Sequence, residues 1–184
     1  MRLFIGLRLD PAVKDYCHHI QTLVRGAAIR GHFSRYDNFH ITLSYIGEVP
    51  GSQYEEICDL MDEITRQQAS FTINIGNLGS FKRDDKHIVF TKVIDDVGPL
   101  MSLQHKLEKI LLRHEIIKPT RSYHPHITLS RDTMLTNVPL LDLIDEYPAP
   151  IEINQITLFE SNHNKKGELH YDVVYESRFS KKQK

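Results

Sequence analysis

The chain of 184 residues contains no tryptophan, only two cysteines and almost no excess of charge. Its 23 basic and 24 acidic residues give a net charge of −1, which argues against a long electrostatic track for duplex nucleic acid. A small cationic pocket for a single phosphate remains compatible with this balance. Cys17 and Cys58 stand alone in segments with helical periodicity, which indicates buried thiols and not a zinc cluster.

Long hydrophobic runs are also missing. No apolar stretch approaches the roughly 20 residues that a membrane span requires. The start of the chain has one basic residue and a proline after a few apolar positions, which is not the layout of a signal peptide. We therefore expect a cytoplasmic protein without a membrane partner. Its composition, 40% hydrophobic and 26% charged, is that of an ordinary globular domain.

The pentapeptide HITLS occurs twice, beginning at His40 and again at His126. Each copy alternates as a strand does, and each follows a predicted strand and a predicted amphipathic helix. Leu3 precedes His40 by the same number of residues as Val89 precedes His126. This parallel predicts an internal duplication of an α+β unit.

We expect one bilobal domain over residues 1–184, built from strand–helix–strand units at approximately 1–80 and 87–162. No low-complexity linker separates the halves, so the two lobes are expected to pack intimately. A short helix is expected around VPLLDLIDEY, exposed loops or hairpin turns at NLGSFKRDDK and SNHNKKGE, a turn at GNLGS, and a disordered tail over 179–184.

Each motif presents a histidine and a threonine on one face of its strand. Residues two apart in a strand point the same way, so His40 projects with Thr42 and His126 projects with Thr128. The Ile and Leu of each motif then anchor the opposite face in the core. Two lobes related by approximate two-fold symmetry bring the His-Thr faces together across a shared cleft.

A pair of facing histidines suits a reaction in which one proton is removed and another is delivered on opposite sides of one centre. In-line displacement at phosphorus has this geometry, and the threonine hydroxyls are placed to donate hydrogen bonds to the non-bridging oxygens. Such a scheme requires neither a metal ion nor another cofactor. The residues alone leave open which histidine is the acid and which is the base.

With these two motifs, the sequence resembles the two-histidine phosphoesterase superfamily and, within it, the LigT-type RNA 2′,3′-cyclic phosphodiesterases, also called 2′-5′ RNA ligases. The resemblance also covers RLFIGLRLDP at the start of the chain and ITLFES, Gly167 and Tyr171 near its end. It implies a bilobal α+β fold with concave antiparallel sheets, outer helices and the active site in the cleft between the lobes. It also implies metal-independent opening of a 2′,3′-cyclic phosphate to a 2′-phosphomonoester.

The resemblance assigns His40 as the proton donor to the leaving oxygen and His126 as the proton acceptor that activates water. It makes Thr42, Thr128 and Arg131 the phosphate-binding residues. Strict pleating would place Arg131 on the face opposite His126, so this arginine reaches the site only if the strand ends or bulges there.

The family often has a tryptophan shortly before the first motif, whereas this chain has Phe33 there, for which we expect a core position. The expected partners are RNA 3′ ends or small nucleotides that carry a 2′,3′-cyclic phosphate, and the expected state is a monomer. Two alternative functions stay open: 2′-5′ ligation of RNA, including tRNA halves, and a non-catalytic module that binds nucleotide or RNA ends.

Overall fold

The computed structural model describes residues 1–94, 98–119, 122–136 and 147–180, which form an α+β fold with one curled antiparallel sheet. Its helices are α1 (Pro11–Gly26), α2 (Tyr54–Thr65) and α3 (Gly98–Arg113). Its strands are β1 (Arg2–Arg8), β2 (Ala28–Phe33), β3 (His40–Glu48), β4 (Phe71–Arg83), β5 (Lys86–Ile94), β6 (His126–Leu135), β7 (Ile151–Ile153), β8 (Gln155–His163) and β9 (Leu169–Arg178). In the described part of the chain, no helix has the length and hydrophobicity that a membrane span needs.

The strand order β7-β4-β5-β6-β3-β1-β8-β9 is symmetric about its middle, and β2 pairs with β6 outside this path. The first strand and the motif strand of each unit are neighbours, as β1 with β3 and as β5 with β6. A later strand of each unit pairs with the other unit. Strand β4 of the first unit pairs with β5 of the second, and β8 of the second unit pairs with β1 of the first. The two lobes of the sheet therefore each contain strands from both halves of the sequence.

The lobes meet where β3 pairs antiparallel with β6, in the register Ile41 opposite Ile127. Both residues occupy the same position in their copies of HITLS, so the pseudo-two-fold axis passes between them. Ile41, Leu43, Ile127 and Leu129 are all buried, as the alternation of the motifs predicts. The motif strands are thus fixed by the core on one face and present His and Thr on the other.

Amphipathic helices pack against the sheet and supply the rest of the core. Helix α1 begins with Pro11 at its first position after Asp10, which is the start that the sequence predicts, although the Asp10 side chain makes no capping hydrogen bond. Its buried face includes Val13, Cys17, Ile20 and Val24. Helix α3 buries the stripe Leu100, Leu103, Leu107, Ile110 and Leu111, whose spacing is typical of an amphipathic helix.

The turn predicted at GNLGS is wrong, because β4 continues through this segment to Arg83. The loop or hairpin turn expected in NLGSFKRDDK is present, but it is confined to Asp84 and Asp85. Glycine has a packing role there: a Cβ on Gly79 would lie 2.5 Å from the Phe90 ring of the neighbouring strand. The hairpin turn expected in SNHNKKGE is present between β8 and β9.

Strand β2 was not predicted, because AIRGHF lacks a hydrophobic alternation; among the described strands it pairs only with β6. The short helix expected around VPLLDLIDEY falls mainly on residues 137–146, which lie outside the described residues. In the segment expected to be a tail, the amide of Phe179 donates to the carbonyl of Asn154 and that of Ser180 donates to the carbonyl of Thr65. Residues 181–184 lie outside the description.

Candidate active site

The polar faces of the two motifs lie side by side on β3 and β6. Continuing the antiparallel register from Ile41 and Ile127 places His40 opposite Thr128 and Thr42 opposite His126. The two histidines are then diagonal neighbours, a relation that separates residues on adjacent strands by roughly 7–8 Å. This spacing leaves room for a tetrahedral group between the imidazoles, with a threonine beside each.

A β-bulge interrupts both motif strands at the same residue. Phe90 and Val89 of β5 pair with Thr128 and Ser130, so Leu129 is the extra residue in β6. In β3 the extra residue is Leu43, because Gly6 and Ile5 of β1 pair with Thr42 and Ser44. After each bulge the alternation is reversed, and the Leu and the Ser of the motif are both buried.

The bulge in β6 is what brings Arg131 to the site. Ser130 is buried, as Leu129 is. The next residue, Arg131, therefore lies on the face of the strand that carries His126. This is the strand irregularity that the sequence argument required of Arg131. The equivalent residue after the bulge in β3 is Tyr45, which sequence reasoning did not select although it follows His40 at the same spacing.

Buried hydrogen bonds hold the backbone of the β6 bulge. The carbonyl of Leu129 accepts from the amide of Ser34 at 2.9 Å and from the side-chain amide of Gln21 at 2.8 Å. The hydroxyl of Ser34 donates to the carbonyl of Thr128, also at 2.9 Å. Because Gln21 comes from α1 and Ser34 follows β2, these two elements fix the position of Thr128.

The His40 ring is oriented by a hydrogen bond at each nitrogen. Its Nδ1 lies 2.7 Å from the carbonyl of Asn38, and its Nε2 lies 2.9 Å from the Thr42 hydroxyl. A carbonyl can only accept, so the proton is on Nδ1 and the neutral ring accepts the Thr42 hydroxyl proton at Nε2. Phe4, Phe159 and Tyr171 surround the ring, with centroids at 4.8, 5.7 and 5.1 Å.

His126 repeats the first of these hydrogen bonds and differs in its surroundings. Its Nδ1 lies 2.6 Å from the carbonyl of His124, two residues earlier, as Asn38 is to His40. This bond again puts the proton on Nδ1 and the lone pair of the neutral ring on Nε2. The ring packs against Phe90 and Phe81, with centroids at 4.9 and 5.6 Å.

Burial is the main cause that lowers the pKa of both histidines. The pKa of His40 falls to about 4, because burial disfavours the imidazolium and the charges of Arg131 and His126 add to the effect, against the opposing hydrogen bond to Asn38. The pKa of His126 is lowered by burial and by Arg131, against the hydrogen bond to His124. Both rings are therefore neutral at pH 7 in the free protein.

Two cavities flank the histidine pair. The first, of about 560 Å³, is lined by His40, Thr128 and Arg131, and further round by Arg25 and Arg35. The second, of about 270 Å³, is lined by Thr42 and His126 together with Tyr45, Phe81 and Tyr123, among others. We refer to them as the arginine cavity and the aromatic cavity.

The arginine cavity carries most of the positive charge around the site. Arg25 stacks on the Phe33 ring at 4.0 Å from its centroid, and Arg35 forms an ion pair with Glu168 of the β8–β9 hairpin. Phe33 is half-buried and packs against the core while it also lines this cavity. The expectation of a core position for Phe33 is therefore met only in part.

The five residues predicted for the site, His40, Thr42, His126, Thr128 and Arg131, all lie around the junction of β3 and β6. Asn38 was missed: its side-chain amide donates to the backbone carbonyl of Leu169 in β9, and its own backbone carbonyl orients His40. No sequence signal marks a backbone carbonyl of this kind. Among the described residues, no group of three or more His, Cys, Asp or Glu side chains is arranged to hold a metal ion.

Comparison with known proteins identifies the family and the fold. The model of the 2′-5′ RNA ligase superfamily matches residues 12–165. An RNA 2′,3′-cyclic phosphodiesterase of Aeropyrum pernix is 31% identical over 146 residues, which are 76% of this chain and 81% of the relative. One of Thermotoga maritima is 26% identical over 181 residues, 97% of this chain and 96% of the relative. The crystal structure of apo LigT from E. coli superposes with a TM-score of 0.82 at 22% identity, covering 98% of each chain.

Proposed function

The chain belongs to the 2′-5′ RNA ligase superfamily, and from this premise we propose that it is an RNA 2′,3′-cyclic phosphodiesterase. It hydrolyses the 2′,3′-cyclic phosphate of RNA 3′ ends or of small nucleotides and leaves a 2′-phosphomonoester. The observation that carries the proposal is the register of β3 and β6, with Ile41 opposite Ile127, which makes His40 and His126 diagonal neighbours with a threonine opposite each. Two relatives of this name match most of the chain.

In the proposed reaction the cyclic phosphate lies between the two imidazoles. His126 takes a proton from water through Nε2, and the water oxygen forms a new bond to phosphorus. The bond from phosphorus to O3′ breaks on the opposite side, and His40 gives its Nε2 proton to O3′. The phosphate stays on O2′, so the product is a 2′-phosphomonoester and the protons balance.

Three side chains are assigned to the phosphate itself. Thr42 and Thr128 donate hydrogen bonds to the non-bridging oxygens, where negative charge increases in the transition state. Arg131 supplies the positive charge, and its guanidinium is suited to paired contacts with two oxygens. The bulge at Leu129 supports this assignment, because it directs Arg131 to the face that carries the histidines.

The assignment of acid and base is supported by the two cavities. A strand of RNA brings further phosphates, so the larger, arginine-lined cavity beside His40 suits the nucleoside that bears the cyclic phosphate. The leaving oxygen belongs to that nucleoside, and His40 is therefore the donor. His126 then faces the side of attack. The site is complete within one chain, which supports a monomer, and RNA ends as substrates support a cytoplasmic protein.

Substrate binding favours protonation of His40, the proposed acid. His40 is neutral in the free protein because its pKa is about 4. A bound phosphodiester anion places a negative charge beside the ring, and an opposite charge at this range raises the pKa of an imidazole. Binding therefore favours protonation of the pair, and in the reactive form His40 carries the proton while His126 is neutral.

The test is hydrolysis of a short RNA with a 2′,3′-cyclic end in excess EDTA, with the position of the product phosphate assigned by phosphorus NMR. We expect 2′-phosphate only, and a loss of roughly 10²–10⁴-fold in kcat with either His40→Ala or His126→Ala while the substrate still binds. His105→Ala, an exposed histidine of α3, is the matched control. Binding without turnover by the wild type would instead support a non-catalytic module, and loss of turnover on chelation would show that a metal ion is needed.

A further inference from the structure

The arginine cavity carries more positive charge than one cyclic phosphate balances. Within the described residues, its lining includes one carboxylate, that of Glu168, and three guanidinium groups: Arg25, Arg35 and Arg131. A 2′,3′-cyclic phosphate is a diester with a single negative charge. If Arg131 contacts that phosphate and Glu168 balances one further arginine, one guanidinium charge remains without a counter-charge.

Glu168 is engaged by Arg35. The two side chains form an ion pair, and the carboxylate also accepts a hydrogen bond of 2.7 Å from the side-chain amide of Asn164. The hydrogen bond from Asn164 and the charge of Arg35 lower the pKa of Glu168, so the carboxylate is ionised at neutral pH. The charge of Arg35 is therefore already balanced, and the guanidinium left over is that of Arg25.

Arg25 is held by an aromatic ring and forms no ion pair within the described residues. Its guanidinium carbon lies over Phe33, 4.0 Å from the ring centroid. The N–H groups of a guanidinium lie in its plane, so a ring below that plane leaves the donors at its edge open to a ligand. Such an edge is suited to paired contacts with two oxygens of a phosphate.

The register of β2 and β6 places this arginine close to the reacting phosphate. Phe33, which supports Arg25, pairs with Ser130, the residue that precedes Arg131, and neighbouring strands are about 5 Å apart. In RNA, one ribose separates the phosphate on O3′ from the phosphate on O5′. Two unbalanced guanidinium groups in one cavity therefore match the two phosphates of a terminal nucleotide, and about 560 Å³ is room enough for a ligand of that size.

We propose that Arg25, stacked on Phe33, binds the phosphodiester on the 5′ side of the terminal nucleoside. This contact makes an RNA end a better substrate than a nucleoside 2′,3′-cyclic phosphate, which has no phosphate at O5′. The proposal rests on the proposed function, because the cyclic phosphate must lie between the two histidines for its neighbour to reach Arg25. Arg25 takes no part in the proton transfers, so its effect is expected in kcat/KM and only for substrates with the second charge.

The experiment compares three substrates that share a terminal cytidine 2′,3′-cyclic phosphate. They are the nucleotide itself, the dinucleotide with an adenosine joined to O5′ by a phosphodiester, and the same dinucleotide with an uncharged methylphosphonate in that linkage. We expect kcat/KM for the phosphodiester to exceed that for the methylphosphonate by about tenfold or more, which is the effect of one hydrogen-bonded charge contact. The methylphosphonate should be hydrolysed about as well as the nucleotide, and added salt should lower the ratio of the two dinucleotides.

Two substitutions assign that ratio to the stacked arginine. Arg25→Gln should bring it close to one, and Phe33→Leu should leave an intermediate value, because the guanidinium loses the ring that holds it. The matched control is Arg30→Gln, which removes the same charge from an exposed position of β2 outside the arginine cavity and should leave the ratio unchanged. Both dinucleotides are measured on one preparation, so a partial loss of folded protein cancels in the ratio.

A wild-type ratio near one would overturn the phosphate subsite and leave the phosphodiesterase intact. The same conclusion would follow if the ratio were indifferent to Arg25→Gln, or if Arg30→Gln lowered it equally. Hydrolysis of none of the three substrates by the wild type would overturn the proposed function, and the subsite with it.

Discussion

The two copies of HITLS have the same backbone and different neighbours. Both strands bulge at the Leu of the motif, and both histidines donate from Nδ1 to the carbonyl two residues earlier. The surroundings then diverge. His40 lies among Phe4, Phe159 and Tyr171 with Thr42 at its Nε2, whereas the His126 ring packs against Phe90 and Phe81.

The residue after each bulge differs most: it is Tyr45 in β3 and Arg131 in β6. The exposed aromatic side chain and the cation lie on opposite sides of the histidine pair, in the aromatic cavity and in the arginine cavity. The repeated motif therefore accounts for two imidazoles in equivalent orientations. In the proposed reaction, the neighbours, which differ between the two copies, make one side suited to an RNA end and the other to the nucleophile.

The largest expected effect distinguishes the roles of His40 and His126 with a substrate whose leaving group needs no proton. A donor in which sulfur replaces O3′ has a leaving atom that needs no proton, so it bypasses the acid and not the base. With this 3′-thio cyclic substrate, we expect His40→Ala to recover most of its roughly 10²–10⁴-fold loss, while His126→Ala stays impaired. The measurement is the thiolate released, followed with a thiol reagent, for both variants and the wild type.

Recovery by His126→Ala and not by His40→Ala would reverse the assignment of acid and base. Equal recovery by both variants would mean that the two half-sites, each a copy of HITLS with its neighbours, do not differ in role. The corresponding oxygen substrate is the control for folding and binding, because both variants should bind it while they turn it over slowly.

Substitutions of the two motif threonines test the comparison between the two copies of HITLS, with a smaller expected loss of kcat. Thr42→Val and Thr128→Val each remove a hydroxyl and keep the shape, so each should lower kcat by about ten- to a hundredfold through loss of a donor to the phosphate. We expect the larger loss for Thr42→Val, because this hydroxyl also holds Nε2 of His40 at 2.9 Å. Thr72→Val, at an exposed position of β4, is the control, and steady-state kinetics on the cyclic substrate is the measurement. A larger loss for Thr128→Val would contradict the proposed coupling.

The repeated motifs made the core of the site predictable from sequence, since alternation alone places each His with its Thr and opposite the Ile and Leu. The exchange of β4 and β8 between lobes was not predictable, because strand patterns do not specify which strands pair. The hydrogen bonds of Gln21 and Ser34 to the β6 backbone depend on that pairing and leave no pattern in the sequence. Tyr45 could have been found by applying to the first motif the spacing that gave Arg131.

The smallest expected effect concerns the residues after the bulges and appears as a pH shift. Both histidines have a lowered pKa, so kcat/KM, which reports the free enzyme, should be bell-shaped with its maximum below pH 6.5. The charge of Arg131 contributes to lowering both pKa values. Its removal in Arg131→Gln should move the whole profile to higher pH, by less than about one unit, and should lower kcat/KM by about tenfold through the lost phosphate contact.

Tyr45→Phe is the matched change in the other half-site. Tyr45 is not among the groups that shift either histidine, and Phe keeps the ring, so the pH profile of this variant should coincide with that of the wild type. The two profiles are measured on the same cyclic nucleotide from pH 4 to pH 8. A shift with Tyr45→Phe, or a profile of Arg131→Gln that stays in place, would show that the cation does not set the protonation of the pair. The difference between the half-sites would then lie in ligand contacts alone.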